Sequence, residues 1–382
     1  MIVDGTVLPS SPMARCEDRF SLLPDVNDLL VPTWSLVVAL LTRPVNSVEQ
    51  LIGQLETFPI CIHNRSTTDF SQLIDFLNHH WDAEHFLTRV YPILTRLALE
   101  LPLLFPSGVI PMLRQPTPSF MFSRKQVACI VIHQFLCTIC PPSWMLSDGS
   151  PDFHIWYTSA QPHARATHAY LYSLFTYFDR IASMSWMSEL TASDWPISLT
   201  LRSFTSLPSL ASRFTPLTVK AFSGISTDTS LLGLPSGACA IFSNKYIGFG
   251  TTGTQEEMHI GCSPEAFPAV LCMLPLQDGQ VLVLSGVEAM ITMEGHGRDA
   301  RLKEVLTPDY DFDTIRSSMW HRRTMVFMDA LELDSHDTTH LVPDLLPGHV
   351  ERELRKAYTA FSSPYDTSYN EIVTGLWSDS IG

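Results

Sequence analysis

Positive charge is the scarcest feature of this chain. Its 382 residues include 24 Lys and Arg against 39 Asp and Glu, which leaves a formal net charge of -15. Non-specific nucleic-acid binding depends on Lys and Arg that neutralise phosphates. We therefore expect no direct contact with nucleic acid. Charged residues of both signs make up only 16% of the chain and hydrophobic residues 45%, and this balance excludes a disordered chain and predicts a buried core.

Long apolar runs and long periodic patterns are also missing. The apolar stretch Trp34–Thr42 is far shorter than the ~18 residues that a membrane-spanning helix needs, so we expect no membrane association. Residues 1–20 contain no basic segment followed by an apolar one, so we expect no signal peptide. Neither a glycine repeat nor a heptad pattern dominates, which excludes collagen-like and coiled-coil chains.

The cysteines are too scattered for a disulfide framework and predict an intracellular protein. There are 8, at Cys16, Cys61, Cys129, Cys137, Cys140, Cys239, Cys262 and Cys272. Cys137 and Cys140 form a C-x-x-C pair, but no second Cys or His pair follows at zinc-finger spacing. Buried structural thiols are the expected interpretation of this pair, and redox chemistry is the alternative.

The secondary-structure pattern changes near residue 200. Before it, apolar residues recur at helical spacing, and after it short β-like runs alternate with helices, which predicts an α/β sheet layered with helices. We place an all-α accessory region at 1–195 and the α/β domain at 196–382. The predicted helices are Asn46–Phe58, Thr67–Phe105 (two helices broken near Pro92), Ser123–Ile139, Ala169–Met184, Pro264–Leu274 and Gly348–Phe361, and the predicted strands are Pro216–Phe222, Ala238–Phe242, Gln280–Ser285 and Thr324–Leu333. Ser123 and Gln126 have the spacing of a capping box.

One segment, Ala238–Glu265, is typical of a strand, a glycine turn and a short helix. Gly248, Gly250 and Gly253 fit G-x-G-x-x-G, in which backbone N–H groups and a helix N-terminus approach an anionic ligand. A simple turn is the alternative. A dinucleotide site would also have an acidic residue ~20 positions further on, and that stretch contains no carboxylate. A nicotinamide-dependent oxidoreductase is therefore the least favoured interpretation.

Two adjacent carboxylates, Glu256 and Glu257, follow this turn directly after Gln255. Acidic residues are common at helix N-termini because of the helix dipole, so the pair alone does not indicate catalysis. Consecutive helical residues point about 100° apart, so only one of the two can face a reacting atom. A general acid at this position would need a raised pKa, through burial or carboxylate repulsion.

The run NKYIGFGTTGTQEE followed by SPE resembles the signature of the poly(ADP-ribose) glycohydrolases: a glycine triplet, a short spacer and Gln-Glu-Glu. Other segments have counterparts in the same order, so the resemblance covers the chain from about Pro116 to its end. They are Ser123–Ile139, Leu174–Ile181, Val326–Leu333, Arg352–Phe361 and Glu371–Trp377.

The resemblance implies a macrodomain-like α/β mixed sheet with flanking helices that binds ADP-ribose, preceded by a helical region. The implied reaction is hydrolysis of ribose–ribose O-glycosidic bonds in poly(ADP-ribose), with release of ADP-ribose. Glu257 would be the acid/base, Glu256 would anchor the ribose and Asn244 would bind the same sugar. The remaining implied substrate contacts are Gly248, Phe249, Gly250 and Gly253 at the phosphates, Gln255 beside them and His296 at the adenine. No metal or cofactor is implied; the partners would be poly(ADP-ribose) and ADP-ribosylated proteins, in the nucleus or cytoplasm.

The sequence departs from the family pattern at several of these positions. Phe249 replaces the middle glycine, and the spacer before Gln255 is short. Ile241 stands where the family has Asp, His296 where it has a stacking Tyr, and Asp228 is the nearest match to a carboxylate that grips adenine. Ser378–Gly382 do not match the family's second phosphate loop, from which we expect a truncated or mis-spliced form. A catalytically impaired module that only binds ADP-ribose or its polymer is the alternative function.

Two other polar clusters have simpler interpretations. The first, His79, His80, Glu84 and His85, could bind a metal, but a solvated helix surface is the expected interpretation. The second, His321–Arg323, could meet phosphate, and a surface cation triplet is expected instead.

Overall fold

The computed structural model describes residues 19–21, 33–63, 69–114, 119–139, 153–183, 196–204, 238–306, 323–331, 346–361 and 372–374. The predictions at Pro216–Phe222, Asp228, Cys140, His321, Arg322 and Ser378–Gly382 lie outside these residues. None of the helices in the described residues combines the length and the apolar composition that crossing a lipid bilayer requires.

The helices occupy most of the first half and flank the sheet in the second. They are α1 (Thr33–Leu41), α2 (Val48–His63), α3 (Ser71–His79), α4 (Ala83–His85), α5 (Tyr91–Ala98), α6 (Leu101–Leu104), α7 (Arg124–Phe135), α8 (His154–Tyr157), α9 (Ala164–Ser183), α10 (Gln255–Gly261), α11 (Ala269–Cys272) and α12 (Pro347–Phe361).

Within the described residues, ten strands form one six-stranded mixed sheet and two small antiparallel pairs. The strands are β1 (Arg19–Ser21), β2 (Val109–Pro111), β3 (Ser119–Phe122), β4 (Ile197–Ser203), β5 (Ala238–Ser243), β6 (Gln280–Ser285), β7 (Ile291–Glu294), β8 (Arg301–Val305), β9 (Thr324–Asp329) and β10 (Ile372–Thr374). The main sheet has the order β10-β5-β9-β6-β4-β3, with β10, β5 and β9 parallel and the other pairings antiparallel. Strands β1 and β2 form one small pair, and β7 and β8 the other.

Two of the inner strands, β5 and β9, are buried at every position. Strands covered on both faces read as continuous apolar runs, in agreement with the predicted strands Ala238–Phe242 and Thr324–Leu333, although β9 ends earlier, at Asp329. On one face, the apolar side chains of the sheet form one core with those of α7, α9 and α10. On the other face α12 packs against the sheet, with Ala360 in contact with its apolar side chains. The predicted mixed sheet with flanking helices is confirmed.

The N-terminal half also contributes to the sheet. Strand β3 lies within residues 1–195 and pairs with β4, where Phe122 is opposite Ile197. The helical spacing of apolar residues in this half of the chain predicted no strand there. The division at residue 195 stays a prediction.

The predicted capping box of α7 is confirmed. The Ser123 hydroxyl accepts from Gln126 N at 3.2 Å, and the Gln126 side chain accepts from Ser123 N at 3.0 Å. Helix α7 ends at Phe135, and Cys137 follows it as a buried residue with a φ of 55°. The burial of this thiol agrees with the structural interpretation.

The predicted break near Pro92 is wrong. Helical residues run from α4 through a π-helical turn, Phe86–Val90, into α5, whose second residue is Pro92. Proline has no N–H and cannot donate a helical hydrogen bond, and the changed hydrogen-bond spacing of the π turn lets the helix continue without that bond. The break lies earlier, where Asp82 caps the new helix by accepting from His85 N at 2.9 Å. The predicted helix Pro264–Leu274 is likewise two short turns, a 3-10 turn at Pro264–Ala266 and α11.

A buried ionic network joins the helices to the sheet domain. Arg124 of α7 donates to Glu265 and, at 2.8 Å, to Gly286 O. Arg180 of α9 donates to Glu288 at 2.8 Å, and Glu288 N donates to Glu265 Oε2 at 2.9 Å. Glu265, which closes the SPE motif, is therefore a structural residue in this fold.

Removal of this carboxylate is expected to destabilise the protein strongly. Glu265→Ala leaves Arg124 buried without its closest partner, and loss of one partner of a buried ion pair costs about 3–5 kcal/mol. Because Glu288 remains 3.8 Å from Arg124, we expect a loss near the lower end. Urea unfolding measures the change. Glu351→Ala, which removes an exposed pair with Arg355, is the control, with an expected cost of about 0.5 kcal/mol; equal losses in both variants would contradict the prediction.

Candidate active site

The candidate site lies at the carboxyl ends of the parallel strands. Ser243 at the end of β5 is in register with Asp329 at the end of β9. The chain leaves β5 at Asn244, passes through the three glycines and enters α10 at Gln255. Ligands of open α/β sheets bind at this edge, so the glycine segment, here named the glycine loop (residues 248–253), lies where the fold favours a ligand.

Glu257 is fixed at the start of α10 by the loop that precedes it. Thr254 is the N-cap: its hydroxyl accepts from Glu257 N at 3.4 Å, and Glu257 Oε2 accepts from Thr254 N at 3.2 Å. Thr252 adds a backbone bond to Glu257 Oε2 at 2.7 Å and a hydroxyl 2.9 Å from each carboxylate oxygen. The capping box thus orients the carboxylate back over the loop.

Gly250 makes this orientation possible. A Cβ atom built at Gly250 would lie 1.6 Å from Glu257 Oε1 and 2.0 Å from its carboxyl carbon. The carboxylate therefore rests directly on the Cα of this residue, and no larger residue leaves it there. Gly253 is constrained differently: it has a φ of +71°, and an added Cβ would lie 2.7 Å from Gly297 O.

Glu256 points the other way, as the helical geometry predicts for a neighbour of Glu257. It is buried, and its two oxygens accept from Asn244 N at 2.8 Å and from Gly248 N at 3.1 Å. Burial raises the pKa of its carboxyl from 4.5 to about 8, with smaller contributions from Glu257 and Asp329; the two backbone N–H donors act in the opposite direction. Glu256 therefore ties the end of β5 to the first glycine of the loop.

This raised pKa predicts a pH dependence of stability. Between about pH 4.5 and about pH 8 the folded Glu256 retains a proton that the unfolded chain has lost, so the free energy of unfolding falls as pH rises through this window. The slope contributed by one group is at most about 1.4 kcal/mol per pH unit. Glu256→Gln should remove this contribution to the slope, whereas Glu84→Gln, a control at an exposed residue, should leave the slope unchanged. Urea unfolding at four pH values tests this, and an unchanged slope in Glu256→Gln would contradict it.

The other predicted contacts surround the loop. Asn244 is exposed, and its Oδ1 accepts from Tyr246 N at 3.0 Å. Gln255 Oε1 accepts from Phe242 N at 3.2 Å, which joins α10 to β5. His296 is exposed in the turn between β7 and β8, next to Gly297, whose N–H donates to Gly253 O at 2.9 Å. The structure thus brings all three next to the loop.

Phe249 occupies a different environment from its glycine neighbours. Its ring packs edge-on against Phe153, Trp156 and Phe267, with centroid distances of 5.1, 5.5 and 5.2 Å. Any contact of Phe249 with a ligand would therefore come from its backbone.

A second ionic cluster at the same sheet edge was missed in the sequence. Lys356 of α12 is buried, bonded to the Asp329 carboxylate and 3.2 Å from Gln277 O. Arg352, one turn earlier, donates to Asp329 O at 3.0 Å and to its carboxylate. The available signal was an acidic residue at the end of a buried strand, followed by Arg and Lys at helical spacing.

The surface-cation expectation for Arg323 is wrong. Arg323 is fully buried and donates to Ser263 Oγ at 2.9 Å and to Val287 O at 3.2 Å. Burial lowers the pKa of its guanidinium to about 10. The residue directly precedes β9, and its packing under the SPE segment is a long-range contact that its neighbours in the sequence do not indicate.

The histidine-rich segment near residue 80 makes separate local contacts. His79 pairs with Asp75 at 3.0 Å, His85 lies 3.6 Å from Asp179, and the ring of His80 packs edge-on against His168. Within the described ranges, no group of three His, Cys, Asp or Glu residues could hold a metal ion.

These features define the class: an α/β domain whose mixed sheet presents a glycine loop and two acidic residues at the ends of its parallel strands, preceded by a helical region. Comparison with known families agrees. Residues 220–379 match the macrodomain-fold domain of poly(ADP-ribose) glycohydrolase, and residues 79–193 match its helical domain. The two matches together span well over half of the chain, and the protein belongs to the poly(ADP-ribose) glycohydrolase family.

Proposed function

We propose that this protein hydrolyses the ribose–ribose O-glycosidic bonds of poly(ADP-ribose) and releases ADP-ribose, with Glu257 as general acid/base. The observation that carries the proposal is the position of the Glu257 carboxylate, which Thr252 and Thr254 hold against Gly250. Family membership supports the reaction in general, and the geometry supports the choice of residue.

The chemistry requires one carboxyl group to act twice. In its protonated form, Glu257 donates a proton to the ribose oxygen that leaves as the glycosidic C–O bond breaks. The resulting carboxylate then removes a proton from water as the water oxygen bonds to the oxocarbenium-like carbon. Glu257 ends in its starting form, and no metal or cofactor takes part.

The remaining residues bind and orient the substrate in this proposal. Asn244 and Glu256 hold the ribose next to the bond that breaks. Gly248, Gly250 and Gly253 let the backbone approach the diphosphate closely because they carry no side chain. The N–H of Gly248 donates to Glu256, so the N–H groups further along the turn would bind the anion without a formal positive charge. His296 lies at the edge where the adenine would stack. Backbone binding of this kind also explains how a chain with net charge -15 would hold a polyanion.

The direct test is incubation of the purified chain with labelled poly(ADP-ribose), followed by separation of the products. Release of ADP-ribose supports the proposal. Binding of the polymer or of ADP-ribose without release contradicts hydrolysis and supports the alternative.

That alternative is a module that binds ADP-ribose or poly(ADP-ribose) without turnover. One observation favours it: both oxygens of Glu257 already accept hydrogen bonds from Thr252 and Thr254, so the loop could hold a ligand without proton transfer. In either case we propose that the partners are poly(ADP-ribose) and ADP-ribosylated proteins, and that nucleic acids and membranes are not among them. We propose that the protein acts in the nucleus or the cytoplasm.

A further inference from the structure

The glycine loop is held from outside by residues of the helical region. Trp156 of α8 donates from its indole nitrogen to Gly250 O at 2.8 Å. His163, immediately before α9, is hydrogen-bonded through Nδ1 to Thr252 O. Because a carbonyl oxygen only accepts, this bond requires Nδ1 to carry a proton. We name these two contacts the loop clamp.

Packing around Trp156 makes its contact rigid. The indole is buried and stacks on Phe153 at a centroid distance of 5.0 Å, and the Phe249 ring packs against it. The side chain at the middle glycine position therefore serves as an apolar anchor for the loop. Close packing in such a cluster leaves few alternative rotamers.

The clamp and the Glu257 carboxylate contact the same two loop residues, Gly250 and Thr252. The carbonyls of Gly250 and Thr252 are held by the helical region, whereas the N–H and hydroxyl of Thr252 and the Cα of Gly250 hold the Glu257 carboxylate. The peptide unit between Thr251 and Thr252 carries the N–H that Thr252 donates to Glu257. It lies between the two planar peptide units whose carbonyls are held, so the clamp restrains its orientation.

We infer that His163 and Trp156 are positioning residues that orient Glu257 through the glycine loop. This inference rests on the proposed hydrolysis for its kinetic consequence, but the clamp itself is a property of the free protein. In this proposal, the helical region helps to set the position of the Glu257 carboxylate.

The test compares two substitutions of His163, which is only partly buried at the start of α9. Leucine removes the donor, whereas asparagine places an N–H donor near the original Nδ1 position. We expect His163→Leu to lower kcat about 10-fold with KM changed by less than about 2-fold, because misplacement of a catalytic group acts on the chemical step. His163→Asn should recover kcat to within about 3-fold of the parent protein.

Hydrogen exchange gives a readout that does not depend on activity. In His163→Leu the amides of Thr252 and Thr254 should exchange faster, while those of β5 and α7 stay unchanged, because the opening is local. Trp156→Phe, which keeps a ring and removes the donor, should reproduce the faster exchange if His163→Leu fails to fold. His79→Leu, at an exposed histidine that makes neither of the two clamp contacts, is the matched control.

The outcomes separate the two proposals. Absence of ADP-ribose release by the parent protein overturns the hydrolysis, and the exchange rates then still decide whether the clamp exists. Unchanged exchange at residues 252 and 254, or equal kcat losses in His163→Leu and His163→Asn, overturns the clamp even when the parent protein is active.

Discussion

Gly250→Ala is expected to abolish hydrolysis while the protein stays folded. The new Cβ would lie 1.6 Å from Glu257 Oε1, 2.0 Å from Cδ and 2.3 Å from Cγ. The backbone of Gly250 lies outside the left-handed region, so alanine fits its conformation. The strain is relieved when the Glu257 side chain rotates away from the loop, which separates the carboxylate from Thr252.

The expected sizes of the two effects differ widely. Displacement of the acid/base should lower kcat by at least about 100-fold. Loss of the reciprocal capping bond should lower the free energy of unfolding by only about 1 kcal/mol. Steady-state hydrolysis of labelled poly(ADP-ribose) and urea unfolding measure the two quantities.

Gly248→Ala is the comparison variant. A Cβ there meets only Tyr246 O, at 3.8 Å, so alanine keeps both the loop path and the backbone donor to Glu256. We expect its loss of kcat to be at least about 10-fold smaller than that of Gly250→Ala. Equal losses would show that the contact between Gly250 and Glu257 does not control the rate.

Glu257→Gln is expected to remove turnover and keep ligand binding. Glutamine fits the capping box as well as glutamate does, so the start of α10 stays formed and Thr254 stays satisfied. It cannot exchange a proton with the substrate, and general acid–base catalysis contributes about 10²–10⁴-fold to a rate. We expect a loss of kcat in this range, with the Kd for ADP-ribose changed by less than about 3-fold.

The control for this variant is Glu49→Gln, which alters an acidic residue in the first turn of α2 that takes no part in the hydrogen bonds of the loop. It should leave both constants unchanged. Full activity in Glu257→Gln would move the acid/base role to another carboxyl group. Loss of ADP-ribose binding together with activity would indicate that Glu257 binds the ligand and does not transfer a proton.

Features of the site that depend on nearest neighbours along the chain were predictable. The glycine loop and the divergence of Glu256 and Glu257 follow from spacing, because a helix rotates about 100° per residue and Thr254 and Glu257 have capping-box spacing. The same reasoning located α7 from Ser123 and Gln126. The buried strands β5, β6 and β9 were visible as short apolar runs.

The contacts that fix those features come from distant parts of the chain. Trp156 and His163 reach Gly250 and Thr252 across about 90 residues of sequence, with separations of 94 and 89. The helix break predicted near Pro92 was also wrong, because the residue types there do not show that a π turn, Phe86–Val90, carries the helix past the proline.

The sequence alone determined the class of fold, the position of the loop and which acidic residues lie beside it, because period, capping and turn preferences are local properties. The packed fold was needed to establish that Phe249 is an anchor, that Arg323 is buried and that Lys356 pairs with Asp329. Burial and ion pairing depend on which elements pack together, and that packing is settled only when the sheet and the helices share one core.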